Sequence, residues 1–268
     1  MSAVVDVSHL KKSYGPTLAI ADLSFGVEAG EFLCIVGPSG CGKTTLLKCV
    51  CGLLPASGGD VKLHGRPVTS PPEQMALVFQ EYGRSLFPWM SVRSNVLFPL
   101  RRKRMSSAER RRASDESLSA VGLTEFVDHF PWQLSGGMQQ RVAIARALAY
   151  QPEILLMDEP FASVDAQTRA ELEDLLLRIW KEFGVTVLFV THDIDESVYL
   201  GDRILVLSAR PTTCREVVEV KLPRPRDQLA TKETPEFAQL RAHVYRAIKV
   251  PSGGSAATSP SSGEEAST

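Results

Sequence analysis

The nine residues Gly37-Pro38-Ser39-Gly40-Cys41-Gly42-Lys43-Thr44-Thr45 constrain this chain more than any other stretch. They fit G-x-x-x-x-G-K-[ST], a phosphate-binding loop, which a chain of this length matches by chance about one time in a hundred at average residue usage. The apolar run Phe32 to Val36 before them predicts a buried strand, and Thr44 to Val50 after them a helix. Glycines let the backbone curl until several N–H groups face one anion. The helix N-terminus adds free N–H groups and the positive end of its dipole. In that setting Lys43 reaches the β- and γ-phosphates of a nucleotide, and the Thr44 hydroxyl becomes a Mg²⁺ ligand. A glycine-rich turn without a ligand has no use for a lysine followed by a threonine.

The rest of the composition sets limits. The 268 residues are 44% hydrophobic and 23% charged, ordinary for a globular protein with a full core. A formal net charge of −1 gives no whole-molecule attraction to nucleic acid, so none is expected as a partner. No apolar run approaches the roughly eighteen residues of a membrane span. Met1 to Asp6 lack the basic-then-apolar pattern of a secretory leader. The five cysteines have no repeating spacing and read as free thiols of a reducing cytosol. Cys49 and Cys51 form a lone C-x-C on a predicted helix that points them apart, so they read as small buried hydrophobes rather than metal ligands.

Along the chain, Val4 to Tyr14 and Leu18 to Val27 predict two strands joined by a turn at Gly15-Pro16. Tyr14 at that turn has two readings, a packing aromatic or an adenine platform. Further strands are expected at Val61 to Leu63, Ala76 to Phe79, Ile154 to Met157, Val185 to Val190 and Ile204 to Leu207, with an edge strand at Val217 to Val220. Helices are expected at Ser135 to Ala149, Thr168 to Phe183 and Pro235 to Ile248. Leu172, Leu175, Leu176 and Ile179 share one helix face. Apolar strands alternating with helices imply an α/β fold with a mainly parallel sheet covered on both faces. The stretch from about 84 to 133 has helical patterns without convincing strands and reads as a helical insertion. Within it, Phe87 and Trp89 are either core or a docking surface. Arg101 to Leu123 reads as a charged helix, whose clusters Arg101-Arg102-Lys103-Arg104 and Arg110-Arg111-Arg112 form a solvated face or attract anionic lipid headgroups. Residues 1–250 form the folded domain and 251–268, rich in Ser, Gly, Ala, Thr and Glu, a disordered tail.

Several residues sit where chemistry is done in such sheets. Asp158 and Glu159 end an apolar strand, at the edge that faces the ligand crevice. Asp158 suits Mg²⁺ through its water shell, and Glu159 the polarisation of an attacking water. His192 and Gln80 end two other strands in the same way, one suited to a γ-phosphate and the other to Mg²⁺ or the water. Leu134-Ser135-Gly136-Gly137-Met138-Gln139-Gln140-Arg141 opens a second helix with glycines and a hydroxyl, hence a second anion site. One chain has no need for two γ-phosphate cradles, whereas two chains head to tail would each complete the other. Cys41, at the loop helix and beside Lys43, has two readings: a thiol of lowered pKa that reacts faster than Cys34 or Cys49, or a small inert residue packed under the loop.

Over residues 4 to 225 the sequence resembles the ATPase subunits of ATP-binding-cassette (ABC) transporters. The resemblance rests on the phosphate loop, Gln80 as the Q-loop, LSGGMQQR as the signature, ILLMDEP as the Walker B strand, Ser163-Val164-Asp165 as the D-loop and His192 as the switch histidine. It implies a P-loop NTPase (RecA-like) core with an N-terminal antiparallel β subdomain and an inserted α-helical subdomain. It also implies a homodimer holding two ATP and Mg²⁺ between the phosphate loop of one copy and Ser135, Gly136, Gly137 and Asp165 of the other. Tyr14 then stacks on adenine. The stretches Val78 to Trp89, Thr191 to Ser197, Leu207 to Pro211 and Leu222 to Asp227 are similar to the nitrate/sulfonate/taurine importer branch. Its members work at the cytoplasmic face of the inner membrane with an integral permease and a substrate-binding protein. Cys41 and Val164 depart from the usual Ser or Ala and the usual Leu, without removing a catalytic group.

Overall fold

The computed structural model describes residues 3–80 and 85–249, so the tail 251–268 and the stretch 81–84 after Gln80 lie outside the described residues. Strand β1 (Val5–Tyr14) alternates buried and exposed positions and turns at Gly15 into β2 (Thr17–Val27), its antiparallel partner. The five residues of β3 (Phe32–Val36) are all buried, because both faces of that strand are covered. Phe32, Cys34 and Val36 enter one apolar cluster, while Leu33 and Ile35 enter the other. From β3 the chain passes through the glycine loop into α1 (Lys43–Val50). It then forms β4 (Gly58–Leu63), β5 (Arg66–Pro67) and β6 (Met75–Val78).

The insertion follows. It holds α2 (Val92–Leu97), a 3-10 turn (Pro99–Arg102) and α3 (Ser107–Ala120). The charged helix expected from Arg101 is therefore broken. Ser106 and Glu109 close a reciprocal capping box, which starts a new helix at that point. Next come α4 (Gly136–Ala149), β7 (Ile154–Asp158), α5 (Ala166–Phe183), β8 (Thr186–Val190), α6 (Ile194–Leu200), β9 (Arg203–Leu207), β10 (Thr212–Glu219) and α7 (Pro235–Lys249). The expected stripe of α5, Leu172, Leu175, Leu176 and Ile179, is fully buried, each side chain contributing about 2 kcal/mol.

The strands form one sheet in the order β5-β4-β1-β2-β10-β9-β3-β8-β7-β6. The run β9-β3-β8-β7-β6 is parallel, and β1, β2, β4 and β5 pair antiparallel, as the expected core and β subdomain require. The strand expected at Val217 to Val220 begins earlier, as β10, which pairs antiparallel with β9 along its length and parallel with β2 only at Thr212 and Thr213; Val217, Val218 and Glu219 pair with β9 alone. Its first two residues, Thr212 and Thr213, are the seam that joins the two halves of the sheet. The parallel register sets the ends of β3, β8, β7 and β6 side by side, with Ile35 opposite Val190, Asp158 opposite Val190 and Val78 opposite Met157. The residues that follow those four strands therefore meet at one edge.

Candidate active site

The loop between β3 and α1 needs its glycines. Gly40 and Gly42 have φ of +72° and +111°, conformations a side chain would strain, and Gly42 caps α1. Pro38 is half-buried, while Ser39 and Gly40 are exposed at the mouth of the loop. Lys43 is only 5% exposed. Its Nζ donates to the carbonyls of Gly37 (3.0 Å) and Pro38 (3.3 Å) and lies 3.7 Å from Glu159 Oε1. The Thr44 hydroxyl donates to Asp158 Oδ1 at 3.1 Å. Burial raises the pKa of Asp158, the Thr44 hydrogen bond lowers it, and the Glu159 charge raises it again. The Thr44 hydroxyl and the Asp158 carboxyl place two hard oxygen donors together, and a Mg²⁺ held by few protein oxygens fits them. No cluster of three His, Cys, Asp or Glu fit to hold a metal occurs among the described residues.

Glu159 is where the strand ends converge. Its φ is +44°, uncommon outside glycine and costing about 1–3 kcal/mol, and its N–H donates to Val190 O at 2.9 Å. Gln80 Nε2 donates to Glu159 Oε2 at 3.3 Å, and His192 Nδ1 lies 3.1 Å from the same oxygen. Three elements thus hold one carboxylate at the mouth of the glycine loop. Gln80 meets Glu159 here, not the Thr44–Asp158 pair to which Mg²⁺ binding would assign it. Tyr14 is 49% exposed, its hydroxyl is 3.5 Å from Thr45 Oγ1, and Lys12 Nζ sits 5.2 Å from its ring centroid. An exposed ring at the side of the loop suits a stacking platform better than a packing role.

Ser135, Gly136, Gly137 and Asp165 lie apart from this network: among the described residues no hydrogen bond or ion pair links them to it. Ser135 caps α4 by accepting from Met138 N, and Asp165 caps α5 by accepting from Thr168 N (3.0 Å) and Thr168 Oγ1 (2.7 Å). The two caps touch through Thr168, because a Cβ on Gly137 would lie 2.5 Å from Thr168 Cγ2.

Of the two readings of Cys41, the reactive thiol of lowered pKa is overturned and the packed residue stands. It is 1% exposed, beneath the loop against Gly37, and burial raises its thiol more than Lys43 lowers it. Sequence reasoning also missed Arg169, four residues after Asp165. It donates to Asp193 Oδ2 (2.9 Å) and Val164 O (3.5 Å) and lies 3.5 Å from Glu196. Glu196 in turn accepts from Thr191 Oγ1 at 2.5 Å, beside His192. The i, i+4 spacing from the cap shows that Arg169 lies over the helix start, but nothing local names its partners.

A family model described as ABC transporter matches residues 20–162. The nitrate import ATP-binding protein of Synechococcus elongatus is 47% identical over 233 residues, 86% of this chain and 84% of that one. The bicarbonate transport ATP-binding protein of Synechocystis sp. is 40% identical over 250 residues, 91% of this chain and 88% of that one. Among solved structures, cbiO1 from Clostridium perfringens, part of an ABC transporter complex, superposes with TM-score 0.76 at 29% identity, covering 82% of this chain and 90% of that one. The cassette MJ0796, solved as a dimer in a post-hydrolysis state bound to ADP and Pi, gives TM-score 0.70 at 33% identity, covering 81% of this chain and 99% of that one. With the glycine loop, the strand-end acids and the signature helix in place, the chain belongs to the ABC transporter family as an ATP-binding-cassette ATPase.

Proposed function

We propose that this ATPase powers an importer of a small anion of the nitrate, taurine or alkanesulfonate type. It would act as a homodimer at the cytoplasmic face of the inner membrane, on a permease supplied by a substrate-binding protein. The relatives named for nitrate import and bicarbonate transport support an importer of small anions. No helix among the described residues is long and apolar enough to cross a membrane. A groove of about 480 Å³ beside Phe79, Phe87, Phe98 and Tyr150 offers an apolar seat for one of its helices. Trp89, 70% exposed and 5.5 Å from the Phe87 ring, stands at its side.

The observation that carries the ATPase mechanism is the convergence on Glu159. A carboxylate oxygen steered by Gln80 and His192 retains lone pairs to accept an O–H of a water, so the water's oxygen is turned toward a γ-phosphoryl group. Lys43 and the free backbone N–H groups of the loop Gly37 to Thr45, Pro38 having none, hold the phosphates, and Tyr14 stacks on adenine. Thr44 and Asp158 would hold Mg²⁺, which would supply neutralising charge at the phosphate oxygens. Gln80, expected at Mg²⁺ or the water, acts on the water through Glu159. Ser135, Gly136, Gly137 and Asp165 face the nucleotide of the second copy. Exposure of Ser135 and Gly136 supports that role, since a helix N-terminus with free N–H groups lies open.

Glu159→Gln tests this. The amide keeps the shape and loses the basic oxygen, so ATP binding is retained and turnover falls about 10²–10⁴-fold. The variant accumulates with MgATP as a dimer on size exclusion. Turnover at the wild-type rate would remove Glu159 from the role.

A further inference from the structure

Between Glu81 and Glu109 the sequence has no acidic residue, and Arg101-Arg102-Lys103-Arg104 falls in that stretch. The local fold sorts these four cations. Leu100 is buried and anchors the 3-10 turn. Lys103 turns inward, donating to Tyr150 O with its Nζ 4.1 Å from the Tyr150 ring centroid. Arg101, Arg102 and Arg104 are left exposed. The Arg101 guanidinium lies 5.6 Å from the Phe98 ring centroid. The side chains of Arg102 and Arg104 have no hydrogen bond or ion pair among the described residues. The second basic cluster differs, because Arg111 and Arg112 pair with Asp115 (3.9 Å) and Glu116 (3.6 Å) on their own helix. From Arg101 a row of rings runs through Phe98, 39% exposed, and Phe87 (4.6 Å from Phe98) to Trp89 (5.5 Å from Phe87), which is 70% exposed.

Exposed aromatic rings beside unpaired arginines combine the two chemistries of a bilayer interface: rings that settle at headgroup level and cations drawn to anionic lipid. The ridge also continues the apolar groove assigned above to the permease, since Phe87, Phe98 and Pro99 line that groove. A groove seated on a membrane protein brings its own rim to the membrane surface. We propose that Arg101, Arg102 and Arg104 form a ridge that rests on the headgroups of an anionic lipid leaflet beside the docked permease. The orientation rests on the docking reading, whereas the lipid affinity belongs to this chain alone.

The test is co-sedimentation of the purified full chain with vesicles of phosphatidylcholine, alone or mixed with phosphatidylglycerol, at about 0.1 M salt. Wild type binds the anionic vesicles and leaves the neutral ones. Each arginine at the surface contributes roughly fivefold to partitioning, so Arg101→Gln/Arg102→Gln/Arg104→Gln lowers it on the order of a hundredfold. Arg110→Gln/Arg111→Gln/Arg112→Gln lowers it only a few-fold, because two of its charges are already paired. At about 1 M salt, where screening acts within about 3 Å, the preference disappears. Equal binding to neutral vesicles, or equal losses in the two triple variants, overturns the proposal. So does a first variant that binds vesicles normally but no longer co-purifies with the permease, which would assign the ridge to protein and leave the docking reading intact.

Discussion

Gly137 opens the signature helix, and its missing Cβ is what lets α4 approach α5. A methyl there would stand 2.5 Å from Thr168 Cγ2, against a carbon–carbon contact of about 3.5 Å or more, so the two must part by about 1 Å. Thr168 cannot simply rotate away. It is stiff at χ1, and its hydroxyl is held by Asp165 Oδ2 at 2.7 Å. Gly137→Ala should therefore cost about 1–3 kcal/mol of overpacking, offset by up to about 1 kcal/mol of helix propensity. The strain passes to Asp165, so ATP hydrolysis should fall as well. Thr168→Ser removes Cγ2 and keeps the hydroxyl on Asp165. In that background Gly137→Ala should become neutral or stabilising, giving a coupling of about 1–3 kcal/mol in a double-mutant cycle by urea unfolding. ATPase rates on the four proteins separate two causes. Recovery of stability and turnover together means that crowding at Thr168 sets the requirement for glycine. Additive stability changes would refute the crowding argument. Recovered stability with lost turnover would mean that glycine is needed for what the helix end meets outside its own chain.

Two further outcomes follow from buried groups. Burial raises the thiols of all five cysteines, that of Cys49 to about 11, so access decides, and a maleimide at neutral pH should label the half-buried Cys214 first, with MgATP giving no protection; rapid, ATP-shielded labelling of Cys41 would contradict its packing. Burial also pushes Glu196 from its ordinary 4.5 up to about 8, so the folded chain keeps a proton there that the unfolded chain has released. Its contribution is complete below 4.5 and lost as pH rises toward about 8. Unfolding free energies of wild type should therefore decline over that window relative to Glu196→Gln; parallel curves for the two proteins would show that this proton is not held.

What the sequence discloses about the site depends on where each residue's partners lie. Asp158, Glu159, His192 and Gln80 are legible because an apolar run that stops at a polar residue marks a strand end, and parallel strands end on one edge. The Thr44–Asp158 hydrogen bond then follows from topology. Cys41 shows the limit of local reasoning. The helix dipole and Lys43 are its neighbours in sequence and favour a thiolate, but its burial is imposed from far along the chain. Leu207 closes over Gly37, and the Thr212 hydroxyl donates to Cys41 O. Desolvation from those distant residues outweighs the nearby positive charge. The start of β10 escaped the sequence reading for a related reason. Thr212 and Thr213 form ladder pairs with β2, and their polarity records the seam rather than exposure to water. Arg169 joins the Val164 carbonyl to Asp193 and Glu196, and so ties the D-loop to the segment carrying His192. No spacing in the chain announces that link, because its two ends come together only when α5 packs beside α6. The groups proposed to touch phosphate are therefore written as local motifs, while the groups that hold those motifs in place are fixed by the packing of the sheet and its helices.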